Sequence, residues 1–402
     1  MMTQQTRFCW QRPPWSLLIW GLSLLLLVMG CIAFAKGMTT GFWGPRFQDL
    51  RERHVEVLTF LDHHYPNPFI DPRATRPGLV ASVYLPYAFP MMVPLFGGGQ
   101  LAVGQWTVLL LSVAALLVMA RYGHRQLRFA GAPFAWLGAV APLALNGVPQ
   151  TLADLQFSLI CTGLLLVQAE LIERRHPHAA GLCWAVAMIK PQIAIPFALL
   201  FIARRQLGGL ISGSAWLLGL SVFTLTWTGI PLEAVLGRLL SGRQFNFTAG
   251  LLPLLDLGFG TTARLNPTTL QWGLIGLAAL VMAVLGTRLY NLGSRIDLVN
   301  LTGVCSVIGV LAFYHRSYDH VMMFPLLIAL MRLSLGALPP TRLWFTLLAV
   351  ANALVLWRPN NVLSHWPLAP IQSLLWMTAG VVLTMRLVQA DHAPVRELPS
   401  MS

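Results

Sequence analysis

Apolar stretches of about twenty residues recur along this chain, and short segments that gather its arginines separate them. The first, 15–35, has no charged residue and is long enough to cross a hydrocarbon core of ~30 Å as a helix. Similar stretches follow near 101–120, 130–149, 155–172, 209–230, 268–286, 297–314, 319–335, 341–357 and 367–386. Lipid cannot satisfy bare backbone groups, so each predicts a helix. Two stretches are interrupted. Residues 79–97 hold Pro86, Pro90 and Pro94, which predicts a short or broken helix. Residues 179–203 carry Lys190-Pro191 in the middle and arginine pairs at both sides, which two half-length helices meeting at the proline satisfy better than one span. The pattern predicts an all-α, polytopic transmembrane bundle with ~10–12 membrane helices. A further helical pattern follows the first span, with Leu50, Val57, Leu58 and Leu61 on one side, and suits an amphipathic helix on the membrane surface.

Composition agrees. Of 402 residues, 56% are hydrophobic and 10% charged, against about 25% charged in a soluble domain. The net charge of +13 would suggest nucleic acid in a soluble protein. Here Lys and Arg sit in short loops between spans, so the excess reads as a topology signal. Basic clusters at Arg7/Arg12, 121–128, Arg174/Arg175, Arg204/Arg205, Arg288/Arg295, Arg332/Arg342 and Arg386 mark the cytoplasmic face of a bacterial-type inner membrane, with the N-terminus inside. The segment 36–78 is then extracytoplasmic, although it also carries six Lys and Arg: Lys36, Arg46, Arg51, Arg53, Arg73 and Arg76. The basic start and the long apolar run at 15–35 read as an uncleaved signal anchor. Cys9, Cys31, Cys161, Cys183 and Cys305 form no CxxC pair, and four lie in apolar stretches, so they read as buried thiols. Residues 1–335, including the loop 36–78, form one expected module; 336–402 supply terminal helices and a short cytoplasmic tail.

This orientation collects the polar residues at the outer face: Asp49, Asp154 with Gln156, Lys190, and the run Tyr314-His315-Arg316-Ser317-Tyr318-Asp319-His320. Ionisable groups at membrane depth are costly and usually mark a site. Asp49 admits two readings, an N-cap completed by Glu52 as a capping box, or a general base beside the membrane. Lys190, in an otherwise apolar stretch at a helix break, suits an anionic ligand such as phosphate, against the alternative of a snorkelling lysine. His315, Arg316, Asp319 and His320 form either a polar turn, with Arg316 pairing Asp319, or part of a site. Asp154 reads as a turn residue. The sequence has no Walker loop, dinucleotide fingerprint or HExxH in a matching context, and no metal site is assigned. A transporter or lipid flippase could use a charged residue in a broken helix as a midplane site, but the inverted halves of that class are not found. A non-catalytic membrane subunit would not need Asp49 and Lys190 together.

These residues, in this order, resemble glycosyltransferase family 87, of the GT-C type, which includes mycobacterial mannosyltransferases acting on phosphatidylinositol mannosides. The family tends to show an Asp after the first span, similar to Asp49; an Asn-Pro-Tyr-like tripeptide, similar to Asn67-Pro68-Phe69; and a Tyr-Pro-Pro-like start to the next segment, similar to Tyr84-Leu85-Pro86. A Gly-Gln before a later span resembles Leu155-Gln156, a Lys-Pro-Gln resembles Lys190-Pro191-Gln192, and an Asp opening a late span resembles Asp319 to Pro325. Phe69, Leu85 and Leu155 stand where the family shows Tyr, Pro and Gly. The resemblance covers about 15–335. It implies a hexosyltransferase that takes a sugar, with mannose as the leading candidate, from a polyprenyl-phosphate donor to a lipid or glycan acceptor at the extracytoplasmic face. Asp49 would be the base. Lys190, Arg316 and His315 would hold the donor phosphate, and Gln156, Gln192, Asp319 and Tyr84 would contact donor or acceptor. The lipid-linked sugar is a co-substrate, and no separate cofactor is implied.

Overall fold

A computed structural model describes residues 13–43, 48–82, 84–240, 267–313, 316–356 and 368–389. These residues are helical throughout their regular structure, with no strand among them. Helix α1 spans Pro13–Trp43, so Lys36 belongs to its last turns and the outer segment begins later than 36. Then follow α2 (Gln48–Leu61), a short α3 (Ala88–Met92) that tightens into a 3-10 turn at Val93–Phe96, and α4 (Leu101–Leu127). The prolines of 79–97 thus give the short, broken segment they predict. Next come α5 (Ala132–Val140), α6 (Gly147–Asp154) and α7 (Ser158–Glu173).

The ambiguous stretch 179–203 resolves into two pieces. Helix α8 (Pro177–Ala187) stops before Lys190; α9 (Pro191–Ala194) and α10 (Ala198–Ala203) carry the chain back. Pro191 lacks the N–H that a continuous helix needs, and it pushes Lys190 out of the helical region, to φ −114° and ψ 83°. The rest of the bundle is α11 (Leu207–Thr228), α12 (Leu232–Leu240), α13 (Pro267–Leu292), α14 (Leu298–Ala312), a 3-10 turn at Ser317–Met323 leading into α15 (Phe324–Gly336), α16 (Pro339–Leu356) and α17 (Leu368–Gln389).

Six helices among the described residues are long and apolar enough to cross a membrane: Trp15–Thr40, Leu101–Ala130, Leu207–Thr228, Trp272–Leu292, Ser317–Gly336 and Pro370–Gln389. The pair Ala132–Ala144 and Gly147–Asp154, bent by 45°, makes a seventh if counted as one span. The ten to twelve crossings expected from hydropathy include α7, α14 and α16, which are shorter. At 1.5 Å per residue, the 15 residues of α14 rise ~22 Å. Thirteen of those residues are buried, from Leu298 to Ala312, so α14 is a core helix of the bundle. By contrast α1, α11 and α13 expose Leu17, Leu24, Ile211, Leu218, Leu277 and Leu280, as lipid-facing helices do. Where backbones approach closely, glycine makes room: a Cβ on Gly181 of α8 would run into the Gly209 carbonyl of α11.

Candidate active site at one end of the bundle

The helix after the first span is amphipathic, as its pattern predicts, but its inner face is packed on the protein and carries charge. Leu50, Val57 and Phe60 are buried there together with Arg53 and Glu56. Asp49, Arg53 and Glu56 stand at i, i+4 and i+7, so one helical face presents all three. Arg53 lies 3.1 Å from Glu52 and 2.6 Å from Glu56, and its guanidinium covers the Tyr84 ring at 4.7 Å. Burial raises the Glu56 carboxyl from its ordinary 4.5 to about 7, an effect that Arg53 only partly offsets.

Asp49 is half-buried in the first turn of α2. Its carboxylate accepts a hydrogen bond from the side-chain amide of Gln156, 107 residues away. The Glu52 carboxylate bonds Gln48 and Arg53, so Asp49 and Glu52 do not form the reciprocal capping box considered from the sequence. Gln156 is aimed by its neighbour. Leu155 ends α6 in the left-handed region at φ +49°, where a Cβ is unfavourable. The resembled family carries glycine at this place, and this chain holds a buried leucine in the same turn. Asp154 is the last residue of α6, one before the turn at Leu155.

One residue beyond Gln156 and Phe157, Ser158 opens α7 and joins a second cluster. The Lys190 ammonium donates to Asp319 Oδ1 at 2.8 Å and to Ser158 Oγ at 2.8 Å, and Ser158 donates to Asp319 Oδ1 at 2.6 Å. Asp319 Oδ2 accepts the Arg316 backbone N–H at 3.1 Å. The ammonium also faces the Tyr318 ring, 4.5 Å from its centre. Lys190 and Asp319 are 3% and 1% exposed. The anionic partner that a buried lysine demands is therefore a side chain of the protein itself, and snorkelling is excluded.

The two clusters adjoin. The charges of Asp49, Asp319 and Arg316 all act on Tyr318, and those of Arg53, Glu56 and Asp49 act on Tyr84. Among the expected residues, Asp49, Tyr84, Gln156, Lys190, Arg316 and Asp319 converge here. Arg316 is exposed at the start of the 3-10 turn, and it meets Asp319 through its backbone N–H. Gln192 is half-buried in α9, its carbonyl against Gly309 of α14. His315 lies outside the described residues. Asn67 is fully buried and closes its own turn, donating to the Ser82 carbonyl at 2.9 Å and accepting from the Phe69 N–H. Sequence reading missed Arg53, Glu56, Ser158 and Tyr318. The i, i+4, i+7 spacing from Asp49 could have found the first two; nothing in the local sequence marks Ser158.

A family profile described as glycosyltransferase family 87 matches residues 83–314. That span holds Tyr84, Gln156, Ser158, Lys190 and Gln192, while Asp49 lies before it and Arg316, Tyr318 and Asp319 just after. A polyprenol-phosphate-mannose-dependent alpha-(1-2)-phosphatidylinositol mannoside mannosyltransferase of Mycolicibacterium smegmatis is 28% identical to this chain over 351 residues, covering 79% of this chain and 76% of that protein. The profile covers more than half of the sequence, and this polytopic membrane protein, with its polar site built from helix ends, belongs to glycosyltransferase family 87.

Proposed function

We propose that this membrane glycosyltransferase moves a hexose, with mannose the first candidate, from a polyprenyl-phosphate donor to a hydroxyl of a lipid or glycan acceptor, with Asp49 as general base. The observation that carries the reading is the Asp49–Gln156 hydrogen bond, which fixes a half-buried carboxylate at the meeting point of α2, the α6–α7 junction and the Arg316–Asp319 turn. The donor class follows the relative in Mycolicibacterium smegmatis, whose name states polyprenol-phosphate-mannose dependence. On this reading the site faces the extracytoplasmic side of a bacterial inner membrane, with the N-terminus cytoplasmic; the cluster of Arg121, Arg125 and Arg174 at the far end of α7 supports it.

The chemistry is a displacement at the anomeric carbon. The acceptor oxygen forms the new bond as its proton passes to Asp49, and the bond from the sugar to the phosphate oxygen breaks. The polyprenyl monophosphate leaves with one more negative charge than it held as a diester. A cation near that oxygen stabilises the transition state more than the ground state. Arg316, exposed at the mouth of the turn, is suited to this contact, with His315 beside it in sequence. Lys190 is neutralised by Asp319 and works from behind the site. The apolar surfaces of the surrounding helices suit the donor's prenyl chain.

Asp49→Asn tests the assignment. Asparagine can still bond Gln156 but cannot take a proton. The expected result is a loss of sugar transfer of at least ~10²-fold with unchanged thermal unfolding. Turnover like the parent's would remove Asp49 from the mechanism.

A further inference from the structure

Around one short turn the fold concentrates an unusual amount of buried polar structure. Asp319 is held by Lys190, by Ser158 and by the Arg316 N–H. The carbonyl of the preceding residue, Tyr318, accepts the Thr151 hydroxyl at 3.1 Å. Gly147 lets α6 close onto this turn: a Cβ there would stand 3.0 Å from the Tyr318 carbonyl oxygen and 2.9 Å from Val321. The Ser317 hydroxyl bonds Gln150 of α6 at 2.6 Å. Every one of these contacts fixes the backbone on either side of Tyr318, and the Lys190 ammonium then fixes the ring by sitting 4.5 Å over its centre.

What this scaffold presents is the Tyr318 hydroxyl. It has no hydrogen-bond partner among the described residues, and it is not one of the fully enclosed polar atoms. The charges of Asp319, Asp49 and Arg316 act on it. A phenol held rigid, with a cation on its ring face and its O–H unspent, is a preorganised hydrogen-bond donor for an anionic oxygen.

Resting on the function proposed above, we infer that Tyr318 is a catalytic residue whose hydroxyl donates a hydrogen bond to a non-bridging phosphate oxygen of the polyprenyl-phosphate leaving group. Lys190 is a positioning residue that acts through Tyr318. No proton is transferred by the phenol. The bond shortens as the phosphate gains charge, so the contact strengthens in the transition state. A neutral donor facing the phosphate also avoids placing a bare lysine charge beside Asp49, which would hold its proton less readily.

The test is a mutant cycle in nanodiscs, with sugar transfer and binding of polyprenyl monophosphate as readouts. Tyr318→Phe keeps the ring under Lys190 and removes only the hydroxyl. It should lower kcat by roughly 10- to 10²-fold, in the range for one lost oxyanion donor, with KM changed less than kcat. Lys190→Met leaves Asp319 unpaired and endangers folding, so the neutral pair Lys190→Met/Asp319→Asn is the second arm. If Lys190 works through the tyrosine, that pair should lose activity in the parent background and little more in the Tyr318→Phe background. Equal fold-losses in both backgrounds would show that Lys190 meets the phosphate on its own and would overturn its positioning role. A Tyr318→Phe protein as active as the parent would overturn the tyrosine contact while leaving the proposed function standing. A parent that neither transfers sugar nor binds polyprenyl monophosphate would overturn that function and this contact with it.

Discussion

Helix α7 joins two charged regions of opposite character. Its first residue, Ser158, is fully buried and belongs to the Lys190–Asp319 cluster. Its last turn carries Glu170 and Glu173, which meet Arg121, Arg125 and Arg174. Ser158 and Glu173 stand at opposite ends of this 16-residue helix, ~22 Å apart along its axis. At the second end the pairs reach solvent: Arg121 and Arg174 side chains are 71% and 58% exposed, and those of Arg125, Glu170 and Glu173 are half-exposed. Such pairs contribute roughly 0–1 kcal/mol, because water and salt screen them and long side chains lose freedom in forming them. At the first end the charges are removed from solvent, where attraction must offset a desolvation cost of several kcal/mol per ion. A buried ion pair is thus weak evidence for stability and good evidence for use. The basic end reads as a topology device; the buried end belongs to the proposed active site.

Removing one charge from the buried pair should have the largest effect. Lys190→Met should destabilise the protein by roughly 3–5 kcal/mol, since Asp319 is left charged and unpaired. Folded yield and the thermal midpoint in detergent are the measurements. Lys190→Met/Asp319→Asn should recover most of that loss. A single variant as stable as the parent would mean that water reaches the pair.

Glu56 sharpens the comparison through pH. Its carboxyl in the folded protein titrates at about 7, above the ordinary 4.5, because burial penalises the charged form. The raised value means that the folded state holds the proton more tightly than the unfolded state. Its stabilising contribution is therefore present below ~4.5 and is lost as pH rises through about 7. Between those limits the slope approaches roughly 1.4 kcal/mol per pH unit. Glu56→Gln, which cannot ionise, should flatten the thermal midpoint between pH 5 and 7 relative to the parent. Parallel curves for the two proteins would contradict it.

The smallest effect belongs to the exposed end. Glu170→Gln removes the hub of the surface pairs with Arg121, Arg125 and Arg174, and should change stability by less than ~1 kcal/mol, and less still in high salt. A larger loss would mean that this end is not as screened as its exposure indicates.

Much of this arrangement was legible in the sequence because membrane helices must be apolar and breaks must have causes. The first span, the broken segment at 79–97 and the Lys190-Pro191 break follow directly from charge-free length and from proline. The number of crossings does not, because a buried core helix such as α14 and a membrane span are equally apolar. The candidate site was legible as single residues, Asp49, Gln156, Lys190 and Asp319, polar groups at the ends of apolar stretches or within them. Their partnerships were not. No local pattern joins Ser158 to Lys190 and Asp319, or reveals that the lysine's counter-charge comes from the chain itself. Arg53 and Glu56 were hidden for a different reason. They lie on a helix whose apolar spacing suggested a membrane-facing side, and the protein packs that side inward with the charges included.

Removing one carboxylate at each end compares the two regions most directly. Asp49→Asn and Glu170→Gln, purified together in nanodiscs, would be assayed in single turnover with a polyprenyl-phosphate sugar and an acceptor lipid. Asp49→Asn should lose transfer by ~10²-fold or more, while the Glu170→Gln rate stays within about twofold of the parent. Equal rates for both variants, or loss at Glu170 with transfer intact at Asp49, would contradict Asp49 as the general base.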